Sequence, residues 1–166
     1  GGVFKKIPMT YGLMWIGSLA LAGIPPFAGF YSKDIVLEAA WADHTWFGHY
    51  AYWAGISAAL MTAFYSFRLI FMTFHGKPRA SEKVMSHVHE SPVVMLAPLF
   101  VLALGALFAG FAFYESFVGH HPIWHDAIKV LHENDTVEAA HHVPVWVKKL
   151  PIIMGALGIV LAFVFY

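Results

Sequence analysis

The chain has 166 residues, of which 59% are hydrophobic and 12% charged, and a mean hydropathy of +0.64; roughly 25% charge is usual for a soluble domain, so the composition is that of an integral membrane protein. Ten basic residues balance ten acidic ones and no long basic tract exists, so nothing suggests a nucleic-acid partner. Cysteine is absent, which excludes disulfides, thiolate metal sites and cysteine-ligated iron–sulfur clusters from this chain.

The chain opens Gly1-Gly2-Val3 and closes inside an apolar run, as expected of a piece of something longer. Lys5 and Lys6 imitate the basic start of a secretory signal, but the following run is too long and no cleavage pattern follows. A helix crossing the hydrocarbon needs about 20 apolar residues. Four segments qualify: residues 10–42, 47–74, 92–114 and 150–166, the last as the start of a further helix. The first is interrupted by Gly23, Ile24, Pro25 and Pro26. Unbroken, it would be roughly 50 Å of helix at 1.5 Å per residue, against a hydrocarbon core of about 30 Å. Two half-helices joined by an unwound step are therefore expected, with one crossing plus a surface helix as the alternative.

Residues 115–149 are predicted to form an extramembrane loop, with a short interfacial helix over residues 124–131, where Ala127, Ile128 and Leu131 recur at helical spacing. Trp124 and Trp146 suit an aromatic belt. The predicted fold is thus all-α: one polytopic transmembrane helix bundle over residues 1–166, with one discontinuous helix. Lys5, Lys6, Arg68, Lys77, Arg79 and Lys83 fall on one side, expected to be cytoplasmic or matrix. Glu115, Asp126, Glu133, Asp135 and Glu138 fall opposite; Lys148 and Lys149 argue weakly against this orientation.

Eleven histidines raise the question of a metal. His121 and His125 are one helical turn apart beside His120, and His87 and His89 form a second pair, whereas a catalytic zinc wants three such nitrogens and an open position. Pro122 interrupts the helix this spacing requires, so no metal is expected and the histidines are read as polar interfacial residues. Gly55, Ser57, Ala58, Ala59, Gly105, Ala106, Ala109 and Gly110 are small residues that let helices approach closely.

Lys33 and Asp34 follow directly on the uncharged run of residues 7–32. One reading makes them an ordinary loop pair beyond a first helix. In the other, residues 27–42 form a second half-helix started by the prolines, with Asp34 and Glu38 on one face and Lys33 rotated by about 100°. An ionisable residue at membrane depth costs about 2.5–3.5 kcal/mol on insertion scales and marks a transport path.

The run Gly23-Ile24-Pro25-Pro26-Phe27-Ala28-Gly29-Phe30-Tyr31-Ser32-Lys33-Asp34, with Ser18 to Ala22 before it, resembles the antiporter-like membrane subunits of respiratory complex I, the NADH:quinone oxidoreductase, and most closely their L-type. Gly1 to Pro8, Ser66 to Phe71 and Phe74-His75-Gly76 carry the same resemblance; beyond Pro92 it rests on helix order and on His87-Val88-His89-Glu90-Ser91-Pro92. It implies that residues 10–42 are the discontinuous helix of that fold, with Lys33 as the buried lysine near the outlet of a proton path. The M-type subunit is expected to carry glutamate at that position. Asp34, Glu38 or an acid from a neighbouring helix would be the charge partner. Burial disfavours an ammonium and a nearby carboxylate favours it, so a partner that comes and goes would load and release the proton.

The resemblance further implies a C-terminal portion of the subunit, part of an enzyme but without a redox centre or cofactor of its own. FMN, iron–sulfur clusters and quinone would belong to the assembled complex. Expected partners are the other complex I membrane subunits, above all the neighbouring M-type subunit, and lipids. The expected location is the bacterial inner (plasma) membrane, with the mitochondrial inner membrane as the alternative. The large subunit of a multisubunit cation/proton antiporter and a structural membrane anchor are the other functions this sequence admits.

Overall fold

A computed structural model describes residues 1–119, 123–124, 127–128, 130 and 135–166. The described residues fold into helices joined by turns: α1 (Pro8–Ala22), α2 (Ala28–Ala42), α3 (Trp46–Phe74), α4 (Glu82–Ser86), α5 (Val93–Val118), α6 (Thr136–Ala140) and α7 (Val145–Phe165). Half of the interfacial helix expected at residues 124–131 lies outside them, as do His120, His121, His125, Asp126 and Glu133. α5 continues past Tyr114 and α7 begins ahead of residue 150, because Glu115, Lys148 and Lys149 lower the hydropathy of turns that the backbone still winds as helix.

By length and composition α3, α5 and α7 each suffice to cross a membrane. α1 and α2 have 15 residues each, about 22 Å of helix apiece, and neither would span a core of about 30 Å alone. They lie end to end along α3. Tyr11 and Trp15 of α1 pack on Phe74 and Phe67, near the C-terminal end of α3, whereas Trp41 of α2 packs on His49 and Tyr52 near its N-terminal end. The two half-helices together therefore make one crossing. α7 runs parallel to α3, with Trp146 against Tyr52 near the N-terminal ends of both helices and Phe163 against Phe71 near their C-terminal ends. α5 packs across the break, where Gly110 lies against Ala28 and Tyr31 and Tyr114 meets the Tyr31 ring.

Proline in a membrane helix leaves a carbonyl without its partner one turn back. Pro151 sits inside α7, so the Val147 carbonyl receives no amide from it. Tyr52 fills the gap: its hydroxyl donates to the Val147 oxygen at 3.2 Å, among buried residues. Tyr52→Phe should therefore destabilise the α2–α3–α7 junction by about 1–3 kcal/mol, the cost of an unsatisfied buried acceptor. Pro151→Ala, which restores an amide, should recover much of that loss in the double variant. Thermal unfolding of the detergent-solubilised complex reads both.

The opposite end of the bundle is closed by the segment after α3. Gly2 N–H donates to the His75 carbonyl (3.0 Å), the Tyr11 hydroxyl and His75 Nε2 share a hydrogen bond (2.9 Å), and Arg79 donates to the Met72 carbonyl (3.0 Å). Glu90 completes the closure. Ile7 gives α1 no side-chain cap; instead the Glu90 carboxylate accepts from Met9 N (2.9 Å), Thr10 N (3.1 Å) and the Thr10 hydroxyl. The Thr10 hydroxyl, followed by the backbone amides, holds the Glu90 carboxyl below the usual carboxylate range. A depressed value means that the clip acts fully above the ordinary glutamate value of about 4.3 and weakens as pH falls through the folded value. At neutral pH, Glu90→Gln should speed tryptic cleavage after Arg79 and Lys83 in vesicles exposing that face. Unchanged cleavage would mean that the clip does not hold the segment.

Candidate functional site

The chemistry of the break begins with the backbone. Gly23 adopts φ 72°, the left-handed conformation that ends α1 and that glycine takes without a steric penalty. Its N–H bonds the Ala20 carbonyl and the Ile24 N–H bonds the Leu19 carbonyl, both at 3.2 Å, the paired closure of a Schellman motif. The carbonyls of Leu21 and Ala22 take no part in that closure. Ile24 to Phe27, with a cis Pro25–Pro26 bond, turn the chain into α2. Neither proline interrupts a helix; both stand between two.

Lys33 answers the exposed end of α1. Its Nζ donates to the Ala22 carbonyl at 2.7 Å, at the pole of the half-helix where the peptide dipoles leave negative charge. Two glycines permit this approach. A Cβ on Gly23 would overlap the Lys33 ammonium, and a Cβ on Gly29 would collide with the Ala20 carbonyl oxygen. The lysine is half-buried and lies at the level of Gly55, Ala58 and Thr62, midway along α3, beside a groove of about 470 Å³. It stands at mid-height of the bundle.

Asp34 follows Lys33 on α2. It is only 6% exposed, and its Oδ1 has no hydrogen-bond partner among the described residues. Glu38, one turn further along α2, is half-buried and lies in the field of Lys148 from α7. Among the described residues no carboxylate lies within hydrogen-bond distance of Lys33, whose ammonium rests on a backbone carbonyl with the charge of Asp34 beside it. The break residues Gly23, Pro25 and Pro26 thus form the joint that Lys33 reaches; Asp34 follows Lys33, and Glu38 lies further along α2, where the charge of Lys148 acts on it.

Sequence reasoning assigns no role at the site to Tyr52, Glu90 or Lys148. Lys148 was legible in part, since a helix drawn back to Pro144 places it on α7 facing α2. Of the loop histidines, His87 engages the Lys83 carbonyl and His89 the Glu90 carbonyl through Nδ1. Among the described residues no three His, Asp or Glu side chains gather as metal ligands.

An apolar helical bundle with one crossing built from two half-helices, and a lysine at the joint, defines an antiporter-like membrane protein. Residues 1–62 match the NADH:quinone oxidoreductase/Mrp antiporter transmembrane family, and residues 65–125 match the C-terminus of NADH dehydrogenase subunit 5. Over 100% of its length the chain is 42% identical to NADH-quinone oxidoreductase subunit L of Rickettsia bellii and 39% identical to NADH-ubiquinone oxidoreductase chain 5 of Phytophthora infestans. Chain 5 of Arabidopsis thaliana is likewise 39% identical over 100% of the chain. The chain belongs to this chain 5/subunit L family of complex I membrane subunits, as a C-terminal part, and spans 25% of the length of each of these relatives.

Proposed function

We propose that this chain is the outlet-side portion of a proton-translocating subunit of NADH:quinone oxidoreductase, with Lys33 as the lysine that loads and releases the proton. The observation that carries the reading is the seat of Lys33: an ammonium at mid-height of an apolar bundle, held 2.7 Å from the last carbonyl of a half-helix and beside a groove. A cation placed there is costly in lipid, and the carbonyl and the dipole of α1 offset part of that cost. Asp34, buried next to it with an unpartnered oxygen, favours the charged lysine when ionised and ceases to do so once protonated. The lysine is thereby a site whose proton affinity follows the charge of its neighbours.

In this reading the chain contributes no redox centre. FMN, iron–sulfur clusters and quinone belong to the assembled enzyme, whose redox energy biases the switching. Its neighbours are the other membrane subunits, the M-type antiporter-like subunit first among them, together with lipid. The membrane is the bacterial inner membrane or its mitochondrial counterpart, since the relatives come from both bacteria and eukaryotes.

The test is Lys33→Ala in the assembled complex, reconstituted or kept in sealed inverted vesicles, with subunit content measured separately. The proton-to-electron ratio should fall while the complex still assembles. A wild-type ratio in an assembled Lys33→Ala complex would remove Lys33 from the path.

A further inference from the structure

We propose that the path continues from Asp34 through Glu38 to the turn of residues 141–144, with Glu38 as the last proton relay and Lys148 as the residue that positions it. This rests on the reading of Lys33 given above. Asp34 is more than nine-tenths buried and its Oδ1 is unpartnered among the described residues, so its carboxylate is directed into the protein rather than into solvent. Glu38 follows at a four-residue spacing, which sets two side chains about 5–6 Å apart on one helix face. Around them the packing is apolar: Leu37, Tyr52, Ile56 and Val147 form one buried cluster, with Trp41 against it.

Lys148 gives that line of carboxylates a direction. It lies on α7 with its charge acting on Glu38, and its Nζ donates to the His141 carbonyl at 2.9 Å, in the turn that follows α6. Val147, next to it on α7, packs in one buried cluster with Leu37, next to Glu38 on α2, so Lys148 stands at this level of α2 with its ammonium held at the loop face. Beyond it, His142 and Pro144 are exposed. This end of the bundle is opposite the one that Glu90 and the segment after α3 close over α1. Two tyrosines also face the line. Tyr52 lies in the field of both Glu38 and Asp34 while its hydroxyl is engaged by Val147, and Tyr114 of α5 lies in the field of Glu38.

The step moves one proton and no other group. Asp34, once protonated, gives its proton to the Glu38 carboxylate directly or through water. Glu38 then gives it to bulk water at the 141–144 turn and is again an anion opposite Lys148. Nothing is oxidised or reduced, and Lys148 keeps its proton throughout.

The experiment uses the assembled complex in sealed inverted vesicles, with Lys33→Ala measured alongside and assembly checked by subunit content. Glu38→Gln should lower proton pumping several-fold, and Glu38→Asp, which keeps a titratable carboxyl, should restore most of it. Lys148→Gln should slow pumping, Lys148→Arg should rescue it, and Lys148→Gln should add no further loss in a Glu38→Gln background, the non-additivity of two residues on one route. A packing role for Lys148 would add its loss in full and overturn the assignment. Should Glu38→Gln fail to assemble, the Lys148 pair carries the same test. Loss of pumping in Lys33→Ala together with a wild-type ratio in Glu38→Gln would overturn this route and leave the Lys33 reading intact; a wild-type ratio in Lys33→Ala would overturn both.

Discussion

Gly29→Ala is expected to impair pumping in a complex that still assembles, because the added Cβ would run into the Ala20 carbonyl oxygen and lie 3.0 Å from its carbonyl carbon. Both atoms belong to the main chain of the last turn of α1, so no change of rotamer relieves the overlap. The half-helices must move apart, and overpacking of this kind costs about 1–3 kcal/mol. The larger effect is positional. Lys33 lies one turn along α2 from Gly29, and withdrawing α2 draws the ammonium off the Ala22 carbonyl that it meets at 2.7 Å. A displacement of about 1 Å in a reacting geometry is enough to cost about a hundredfold in rate. Gly12→Ala and Gly17→Ala on α1 are the controls, since a Cβ at either position meets no atom within 4 Å. Pumping and thermal stability should be close to wild type in those two and lowered in Gly29→Ala. Equal behaviour of all three would show that the crossing of the half-helices does not position Lys33.

Much of this joint was legible in the amino-acid sequence because its causes are local. Gly23, Pro25 and Pro26 dictate a break through backbone chemistry alone, and the excess length of residues 10–42 requires one. What the sequence did not disclose are contacts between residues far apart along the chain. The Ala22 carbonyl that receives Lys33 is 11 residues away, the Val147 carbonyl that receives Tyr52 is 95 away, and Thr10 and Glu90 are 80 apart. Each depends on which helix faces lie together, and hydropathy carries no record of that. The start of α7 is hidden for a related reason: Lys148 and Lys149 lower the local hydropathy of a turn that is already helical from Val145, behind its Pro144 N-cap. Helical spacing groups Glu38 with Asp34 on one face of α2, but it carries no sign of Lys148, whose charge reaches Glu38 from α7.

Lys33→Arg is expected to fail nearly as completely as Lys33→Ala, although it keeps the charge and a hydrogen-bond donor for the Ala22 carbonyl. Arginine has a pKa above about 12 and stays protonated in proteins. It fits a role in holding α1 and α2 together by charge, and it does not fit a role in which the side chain must lose its proton at every turnover. Alanine removes both functions and arginine only one. The pair therefore separates a structural cation from a relay, which neither substitution does alone. The decisive measurement is the proton-to-electron ratio of the assembled Lys33→Arg complex in sealed inverted vesicles, with subunit content determined on the same preparation. A lysine that carries the proton predicts a ratio close to that of Lys33→Ala; an assembled arginine variant pumping at the wild-type ratio would contradict it.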